Sequence, residues 1–461
     1  MTDLLARLAA IVGAANLLTR EHDVAPFVTD YRGRYHGRPL AVALPASTAE
    51  VAALVRLCAA EHIAIVPQGG NTSTCGAATP DGSGRQLLIA MRRLNRLRNV
   101  DVAGRAITVE AGMALAAVQQ AAADAGCLFP LSLASEGSCQ IGGNLATNAG
   151  GLAVLRYGTM RELALGLEVV LPDGTVLDAL SSLRKDTSGL DVKQLFIGAE
   201  GQLGLITAAT LKLYPQPTAR ATAMLAVDSA EQAIATLTAL QNAFGDRLTT
   251  FEMMSEACQR LLDKYQPGKV PFFAPWALLV ELSDSGAPAV LEAAFEAWLA
   301  HAANLGDGVL ARSEAERARL WQLREDMSET QKRDGASIKH DIGVPSSAIP
   351  AFLAACDAAL QAAFPGVRII AFGHAGDGNL HYNISYTRPG NAALFDDEDA
   401  VNAIVYEHVY RQRGTLAAEH GVGQLKGHWL ARYKDPAALA LMRSVKRAID
   451  PQGIMNPGKW L

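Results

Sequence analysis

The sequence predicts an α+β protein with more than one domain. Its 461 residues exceed the roughly 250–300 residues at which a single core stops growing. Glycine-rich stretches interrupt the first half of the chain, whereas strand and helix patterns alternate from about residue 219 onward. A proline pair at Pro215 and Pro217 separates the two regions. These observations predict a loop-rich first domain followed by an α+β domain.

Composition and charge exclude several classes of protein. Half of the residues are hydrophobic and 19% are charged, which is ordinary for a globular chain. A net charge of −5 gives no basic surface for nucleic acid, so no nucleic-acid partner is expected. The six cysteines show no CxxC spacing, which indicates reduced thiols of a cytoplasmic protein. No apolar run appears long enough to predict a membrane span.

The first glycine-rich loop follows a short predicted strand. A Ser-x-x-Glu capping box at Ser47 predicts a helix over residues 47–60, and residues 63–66 are typical of a strand. The strand ends in the sequence PQGGNTST at residues 67–74. Consecutive glycines and small hydroxyl residues can direct several backbone N–H groups at one phosphate. An ordinary glycine-rich turn is the alternative.

Two further stretches extend this pattern. Residues 137–151, GSCQIGGNLATNAGG, allow the backbone to approach a large flat ligand, with a simple linker as the alternative. Residues 196–207, FIGAEGQLGLIT, lead into another predicted strand, and residues 165–177 predict a hairpin around Pro-Asp-Gly. None of these matches the GxGxxG or GxxxxGK[ST] patterns, so a nicotinamide site or a P-loop is not predicted.

The second region contains a candidate carboxylate site. Strands are predicted at residues 221–227, 248–253 and 276–282. Helices are predicted to start at residues 228–231, to cover 287–304 and to begin at Ser313. In that last helix Arg324 and Ser328 are four apart and therefore share a face, and Lys339 follows on a predicted strand over 337–341. A guanidinium, a hydroxyl and an ammonium suit a carboxylate. The spacing by itself favours a surface arginine on a charged helix.

The stretch FGHAGDGNLHYN at residues 372–383 contains a candidate metal site. Predicted strands over 367–372 and 380–386 flank a turn, so His374 and His381 can meet, and Asn383 faces the same side as His381. With Glu419 as a third ligand this set suits zinc or a similar divalent ion, and His420 beside it would act as a base. Structural histidines and a carboxylate placed by chance are the alternative.

The glycine-rich motifs resemble, in order, those of the FAD-binding domain of the vanillyl-alcohol oxidase superfamily. They are PQGGNTS, IGGNLATNAGG, RYGTMRELALGLEVVLPDGTVLD and DVKQLFIGAEGQLGLIT. Members with covalent flavin have a histidine after the first GG, where this chain has Asn71, so the resemblance implies non-covalent FAD. The cofactor-binding residues expected from it are Pro67, Gln68, Gly69, Gly70, Asn71, Thr72, Gly137, Ser138, Gly142, Gly143, Asn144, Thr147, Glu200, Gly201, Gly204, Ile206 and Asn456.

The second half resembles the D-2-hydroxyglutarate dehydrogenase family through LREDMSETQKRDGASIKHD, GHAGDGNLHYNI, AEHGVGQLKG and DPQGIMNPGK. This resemblance implies that Arg324, Ser328 and Lys339 hold the distal carboxylate of a small dicarboxylic 2-hydroxyacid. Ser328 departs from the usual threonine and keeps the hydroxyl. The other implied roles are zinc or a similar divalent cation at His374, His381 and Glu419, substrate contact by Asn383, and a catalytic base at His420.

The expected reaction is oxidation of D-2-hydroxyglutarate to 2-oxoglutarate, with hydride passing to flavin N5. A D-lactate or broad-specificity D-2-hydroxyacid dehydrogenase, a hydrolytic zinc enzyme and a non-catalytic flavoprotein subunit are the alternatives. Electrons are expected to pass to an electron-transfer flavoprotein or a quinone, and a homodimer is left open. The expected domains are an FAD-binding domain at 1–217, a ferredoxin-like cap at 218–415 and a C-terminal helical segment at 416–461 that returns to the FAD domain.

Overall fold

The computed structural model describes residues 2–302, 305–386 and 392–461. The chain forms two compact units. The first comprises Met1–Gly151, Gly158–Gln216 and Glu419–Leu461, and the second comprises Leu152–Tyr157 and Pro217–Ala418.

The strands in chain order are β1 (Leu17–Leu18), β2 (Ala41–Ala43), β3 (Ile65–Gln68), β4 (Leu87–Ala90), β5 (Leu97–Asp101), β6 (Ala106–Glu110), β7 (Cys127–Leu128), β8 (Ala164–Val170), β9 (Val176–Ala179), β10 (Leu205–Lys212), β11 (Tyr214–Pro215), β12 (Ala219–Val227), β13 (Leu248–Ser255), β14 (Trp276–Asp284), β15 (Gly308–Leu310), β16 (Ile338–Gly343), β17 (Val367–Gly373) and β18 (Asn379–Tyr386).

The helices are α1 (Thr2–Val12), α2 (Glu21–Val24), α3 (Thr48–Ala60), α4 (Leu115–Asp124), α5 (Ile141–Ala146), α6 (Val154–Tyr157), α7 (Met160–Leu163), α8 (Ala230–Phe244), α9 (Glu256–Tyr265), α10 (Pro288–His301), α11 (Glu314–Glu325), α12 (Met327–Asp334), α13 (Ile349–Ala363), α14 (Glu398–Arg411), α15 (Gly427–Tyr433) and α16 (Pro436–Ile449). The last two residues of the helix predicted over 287–304 lie outside the described residues.

The first unit contains two main sheets. One has the order β1-β2-β4-β3, in which β2, β4 and β3 are parallel, and α1 and α3 contribute to its core. The other has the order β5-β6-β10-β8-β9 and is antiparallel. The first glycine-rich loop leaves the carboxyl end of β3, which is the end of a parallel strand at which ligands usually bind.

The second unit is built on one seven-stranded antiparallel sheet with the order β15-β12-β14-β13-β17-β18-β16. Its first four strands and the helices α8 and α10 form a β-α-β-β-α-β arrangement, in which the fourth strand lies beside the first. This is the ferredoxin-like pattern. The α+β class predicted from the sequence is therefore confirmed.

Three long helices begin as their sequences predict. The side chains of Ser47, Ser229 and Ser313 each accept a hydrogen bond from the backbone N–H three residues later, at 3.2 Å in every case. Such N-caps satisfy one of the donors that the first turn leaves unpaired, which is worth about 1 kcal/mol.

One segment departs from the expectation that no run could span a membrane. By length and composition alone, Ser346–Ala363 could do so. In the structure α13 forms the greater part of this segment and packs against β17, α8 and α14, with Phe352, Cys356 and Leu360 buried. Only 28% of the segment is buried, so α13 packs through one face.

Candidate functional site

The first two glycine-rich stretches lie against each other in the first unit. A Cβ atom added to Gly70 would lie 1.9 Å from the carbonyl oxygen of Ser138. Asn71 follows with a φ of 55°, a conformation that asparagine tolerates better than most residues, and its Nδ2 donates to the carbonyl of Thr29 at 2.9 Å. The side chain of Gln68 is buried and donates to the carbonyls of Phe27 and Ala78. The loop conformation is thus fixed by contacts with residues outside the loop.

The contact at Gly70 gives a direct test of the cofactor loop. Alanine cannot fit at this position without moving the backbone of the second stretch. The Gly70→Ala variant should therefore bind FAD at least about tenfold more weakly, which corresponds to a loss of about 1.4 kcal/mol in binding free energy. The measurement is the flavin content of the purified protein and its recovery on titration with FAD. Gly82→Ala is the matched control, because a Cβ there meets nothing within 4 Å. Equal FAD affinity in the two variants would contradict the role of the loop.

Of the buried polar atoms without a hydrogen-bond partner in the described part of the chain, three lie on the second glycine-rich stretch or at Asn456. They are Oε1 of Gln140, Nδ2 of Asn144 and Oδ1 of Asn456. A buried polar atom without a hydrogen bond costs about 1–3 kcal/mol, so such atoms in a ligand site indicate partners on the ligand. These residues fit a cofactor that has both donors and acceptors. Gln140 was not among the predicted cofactor residues, although it is a large polar side chain in an otherwise small-residue stretch.

The C-terminal tail joins the same loops. Asn456 donates its backbone N–H to Ile65 at 2.8 Å and its side-chain Nδ2 to the carbonyls of Ala77 and Glu200, at 3.0 and 2.7 Å. It has a φ of 44° and is 1% exposed. Asn456 therefore ties strand β3 to the third glycine-rich stretch.

Glu200 holds the loop that includes the predicted base. Its carboxylate accepts from the backbone N–H of Val422 at 2.6 Å and of Gly423 at 2.8 Å. Burial raises the pKa of Glu200, and these two N–H groups oppose that change. Its neighbour Gly201 lies against Pro67, since an added Cβ would be 2.3 Å from the proline ring. Glu200 was predicted to bind the cofactor, but its carboxylate is occupied by the chain's own N–H groups.

The other predicted cofactor residues lie on these three stretches or on the strand that follows the third. They are Pro67, Gly69, Thr72, Gly137, Ser138, Gly142, Gly143, Thr147, Gly204 and Ile206.

In the second unit, strands β16 and β18 place three of the predicted residues, Lys339, His381 and Asn383, on one face of the sheet. Asn383 is paired with Lys339 and with Ile370, and His381 is paired with Asp341 and with Phe372. Directly opposed residues of antiparallel strands point to the same face. The amide of Asn383 donates to Gln331 Oε1 at 2.9 Å, which fixes its orientation.

The turn between β17 and β18 brings the two predicted histidine ligands together. The backbone N–H groups of Asp377 and Gly378 both donate to the carbonyl of His374, and Gly378 has a φ of 88°. A Cβ at Gly378 would lie 2.0 Å from the carbonyl oxygen of Val344, so this position requires glycine. The ring centres of His374 and His381 are 5.8 Å apart.

Glu419 directly follows Ala418, the last residue of the second unit. The candidate ligand atoms of His374, His381 and Glu419 all lie within 4.8 Å of one another. Two imidazole nitrogens and a carboxylate oxygen at this spacing are a donor set that fits zinc or a similar divalent cation.

A buried carboxylate that the sequence reasoning missed joins two of the predicted residues. Glu252 of β13 is 0% exposed. Its Oε2 accepts from Arg324 Nε at 2.5 Å, and its Oε1 accepts from His374 Nδ1. Burial acts to raise the pKa of Glu252, but Arg324 and His374 hold this pKa at about 2. The signal in the sequence was a single charge in the otherwise uncharged strand Leu248–Ser255.

Arg324 and Ser328 do not lie on one continuous helix, so that prediction is wrong. Helix α11 ends at Glu325 and α12 begins at Met327, with Asp326 between them. The carboxylate of Asp326 accepts from Gln266 Nε2 at 2.6 Å, a tertiary contact that the sequence does not reveal. Arg324 is buried, whereas Ser328 is exposed.

Comparison with known proteins identifies both halves of the chain. A family model described as FAD binding domain matches residues 39–180, and one described as FAD linked oxidases, C-terminal domain, matches residues 216–460. A D-2-hydroxyglutarate dehydrogenase of Xanthomonas citri pv. viticola is 37% identical over 98% of this chain and 95% of that protein. A putative mitochondrial D-lactate dehydrogenase of Schizosaccharomyces pombe is 34% identical over 98% of this chain and 87% of that protein.

A solved structure shares the fold at low sequence identity. The structure of p-cresol methylhydroxylase with substrate bound matches with a TM-score of 0.80 over 100% of this chain and 96% of that chain, at 16% identity.

Together, the fold, the glycine-rich loops and the family matches define an FAD-dependent oxidoreductase of the α+β class. The chain belongs to the FAD-linked oxidase family, and its D-2-hydroxyglutarate dehydrogenase relatives match it over nearly its full length. The hydrolytic alternative is thereby set aside.

Proposed function

We propose that this chain oxidises D-2-hydroxyglutarate to 2-oxoglutarate with non-covalently held FAD and a divalent cation at His374, His381 and Glu419. The observation that supports this substrate is the shared carboxylate of Glu252, which bonds Arg324 through one oxygen and His374 through the other. A guanidinium therefore stands beside a candidate metal ligand. This arrangement suits a hydroxyacid with a second carboxylate, which lactate lacks.

The proposed substrate contacts divide between the two ends of the acid. Arg324 uses Nε for Glu252, so its two terminal NH₂ groups are the donors proposed for the distal carboxylate. The Ser328 hydroxyl and the Lys339 ammonium complete that contact, and Asn383 is proposed to contact the hydroxyacid end. Fixing both ends lets the chain orient C2 before reaction, a positioning effect worth several kcal/mol.

His420 is the proposed base that accepts the proton of the C2 hydroxyl. When bound, FAD accepts the hydride and the divalent cation lowers the pKa of the C2 hydroxyl. Glu200 supports the position of His420, because it anchors the backbone N–H groups of Val422 and Gly423, two and three residues after His420.

Non-covalent attachment is proposed from Asn71, whose amide donates to the carbonyl of Thr29 and offers no nucleophile for a flavin bond. The proposed electron acceptor is an electron-transfer flavoprotein or a quinone, because the sequence lacks a nicotinamide motif. The proposed location is the cytoplasm, although the Schizosaccharomyces pombe relative is named mitochondrial. A homodimer is the proposed assembly to be tested by sedimentation.

The visible spectrum of the purified protein tests this function. D-2-Hydroxyglutarate should bleach the flavin under anaerobic conditions, and D-lactate should do so more slowly. Removing the divalent cation with a chelator should slow bleaching at least about 100-fold, or about 2.7 kcal/mol, because the hydroxyl proton is then harder to remove. Added Zn²⁺ should restore the rate.

Two outcomes would contradict the proposal. Bleaching at an unchanged rate after the chelator has removed all metal would exclude the cation from the reaction. Equal rates with both acids would favour the second candidate, a D-lactate or broad D-2-hydroxyacid dehydrogenase, to which the putative D-lactate dehydrogenase relative points.

A further inference from the structure

Glu252 is a charged residue in a fully buried position. It lies on β13 opposite Leu279 of β14, and helices α9, α11 and α12 cover this face of the sheet. Its two carboxylate oxygens are divided between two partners, Arg324 and His374. A carboxylate can only accept hydrogen bonds when ionised, so the Nδ1 of His374 must carry its proton toward Glu252.

This hydrogen bond decides which nitrogen of His374 can bind a cation. With the proton on Nδ1, the neutral imidazole has its lone pair on Nε2. Metal-binding histidines commonly donate their second nitrogen to a carboxylate, which fixes both the tautomer and the ring orientation. Glu252 supplies such an acceptor in a position 0% exposed to solvent.

The same carboxylate also fixes Arg324. The guanidinium carbon of Arg324 lies 4.9 Å from the ring centre of Phe372, and the ring of Phe372 lies 4.9 Å from that of His381. Arg324 is therefore held by a hydrogen bond at Nε and by an aromatic ring against its face. Its remaining donors have a restricted direction, which is the condition for recognising a carboxylate in a fixed place.

Stability alone is a weak reason for a charge at this position. A buried ion pair often contributes no more than apolar residues of the same volume, because each ion loses its hydration. Both of its partners are residues proposed to bind the metal or the substrate. A role for Glu252 in positioning these partners explains why the chain keeps a buried charge, although burying it costs hydration free energy and packing alone does not require it.

We propose that Glu252 is a positioning residue that sets the Nε2 of His374 toward the divalent cation and the terminal NH₂ groups of Arg324 toward the distal carboxylate. Metal affinity and selectivity for a dicarboxylic acid thus depend on one side chain that touches neither the cation nor the acid. This inference rests on the proposed function.

The test compares Glu252→Gln with Glu281→Gln in the flavin-loaded full chain. Glutamine keeps the shape but has one acceptor oxygen, so it cannot serve both Arg324 and His374. Glu281 is the matched control, because it is buried on the same sheet face and accepts from Trp321 Nε1 at 2.8 Å and Arg317 Nη1 at 3.3 Å. It has no hydrogen bond to a predicted site residue among the described ones.

Two measurements are made on each variant. The affinity for Zn²⁺ is measured by competition with a chromophoric chelator, and it should fall about 10- to 100-fold in Glu252→Gln. The ratio of kcat/KM for D-2-hydroxyglutarate to that for D-lactate should also fall about tenfold or more. Both quantities should stay within about threefold of wild type in Glu281→Gln.

Unchanged Zn²⁺ affinity and an unchanged selectivity ratio in folded, flavin-loaded Glu252→Gln would overturn the proposal. Wild-type protein that binds no Zn²⁺ would instead overturn the metal site, and with it the role of Glu252 toward His374. Should Glu252→Gln fail to fold, Glu252→Asp replaces it. Its shorter carboxylate cannot span both partners, so the same two losses are expected, and wild-type values would again overturn the proposal.

Discussion

Replacing His420 with alanine should lower kcat about 10²- to 10⁴-fold and leave FAD bound. A positioned general base contributes an acceleration of this size, because it removes the hydroxyl proton as hydride leaves. The anchors of the surrounding loop are backbone groups: Gly421 accepts from Cys75 Sγ, and Val422 and Gly423 donate to Glu200. The alanine variant should therefore keep the loop in place. Rapid-mixing measurement of flavin bleaching gives the rate.

The control for His420→Ala is His301→Ala, since His301 is an exposed histidine at the end of α10 in the second unit. Flavin content and Zn²⁺ binding should equal wild type in both variants. Wild-type turnover in His420→Ala would exclude this residue as the base. Loss of flavin in that variant would show that the imidazole holds the loop instead.

Local features of the fold were predictable from the sequence. The N-caps at Ser47, Ser229 and Ser313 depend on a side chain and a backbone N–H three residues away, so spacing reveals them. The turn after His374 is equally local, because Gly378 adopts a positive φ within a few residues of both histidines.

Contacts distant along the chain were not predictable. Glu252 meets Arg324 and His374 at sequence separations of 72 and 122 residues. The sequence showed a lone charge in a strand but not the partners that make its burial tolerable. The hydrogen bond from Gln266 to the carboxylate of Asp326 likewise joins residues 60 apart in the sequence.

The hexapeptide Leu152–Tyr157 shows a further limit of prediction from the sequence. It follows the second glycine-rich stretch and was expected within the domain at 1–217, yet it belongs to the second unit. Nη1 of Arg156 donates to the carbonyl and to the hydroxyl of Ser283, at 2.6 Å in each case, which ties the segment to β14. Glycines on its amino-terminal side concealed the change of unit, because they leave the path of the chain open.

Replacing Arg324 with alanine should destabilise the protein by about 3–5 kcal/mol and raise the KM for D-2-hydroxyglutarate. The loss of stability arises because Glu252 would keep a buried charge without its guanidinium partner. Arg317→Ala is the matched control, since Arg317 lies two turns earlier on α11 and pairs with Glu281 at 3.3 Å and with exposed Glu314. Urea unfolding at about pH 7 should show a smaller loss of unfolding free energy for Arg317→Ala than for Arg324→Ala.

The pH dependence of the unfolding free energy distinguishes the effect of Arg324→Ala on stability from its effect on KM. The pKa of Glu252 in the folded protein, about 2, lies below the ordinary glutamate value of 4.5. Its pairing therefore contributes stability above about pH 4.5 that is lost as the pH falls toward 2. The difference in unfolding free energy between wild type and Arg324→Ala should therefore become smaller as the pH falls over that range.

Arg324→Lys keeps a cation near Glu252 but loses the planar donors, so it should recover part of the stability and little of the affinity for the diacid. An equal rise of KM for D-lactate in Arg324→Lys would show that Arg324 does not recognise a second carboxylate.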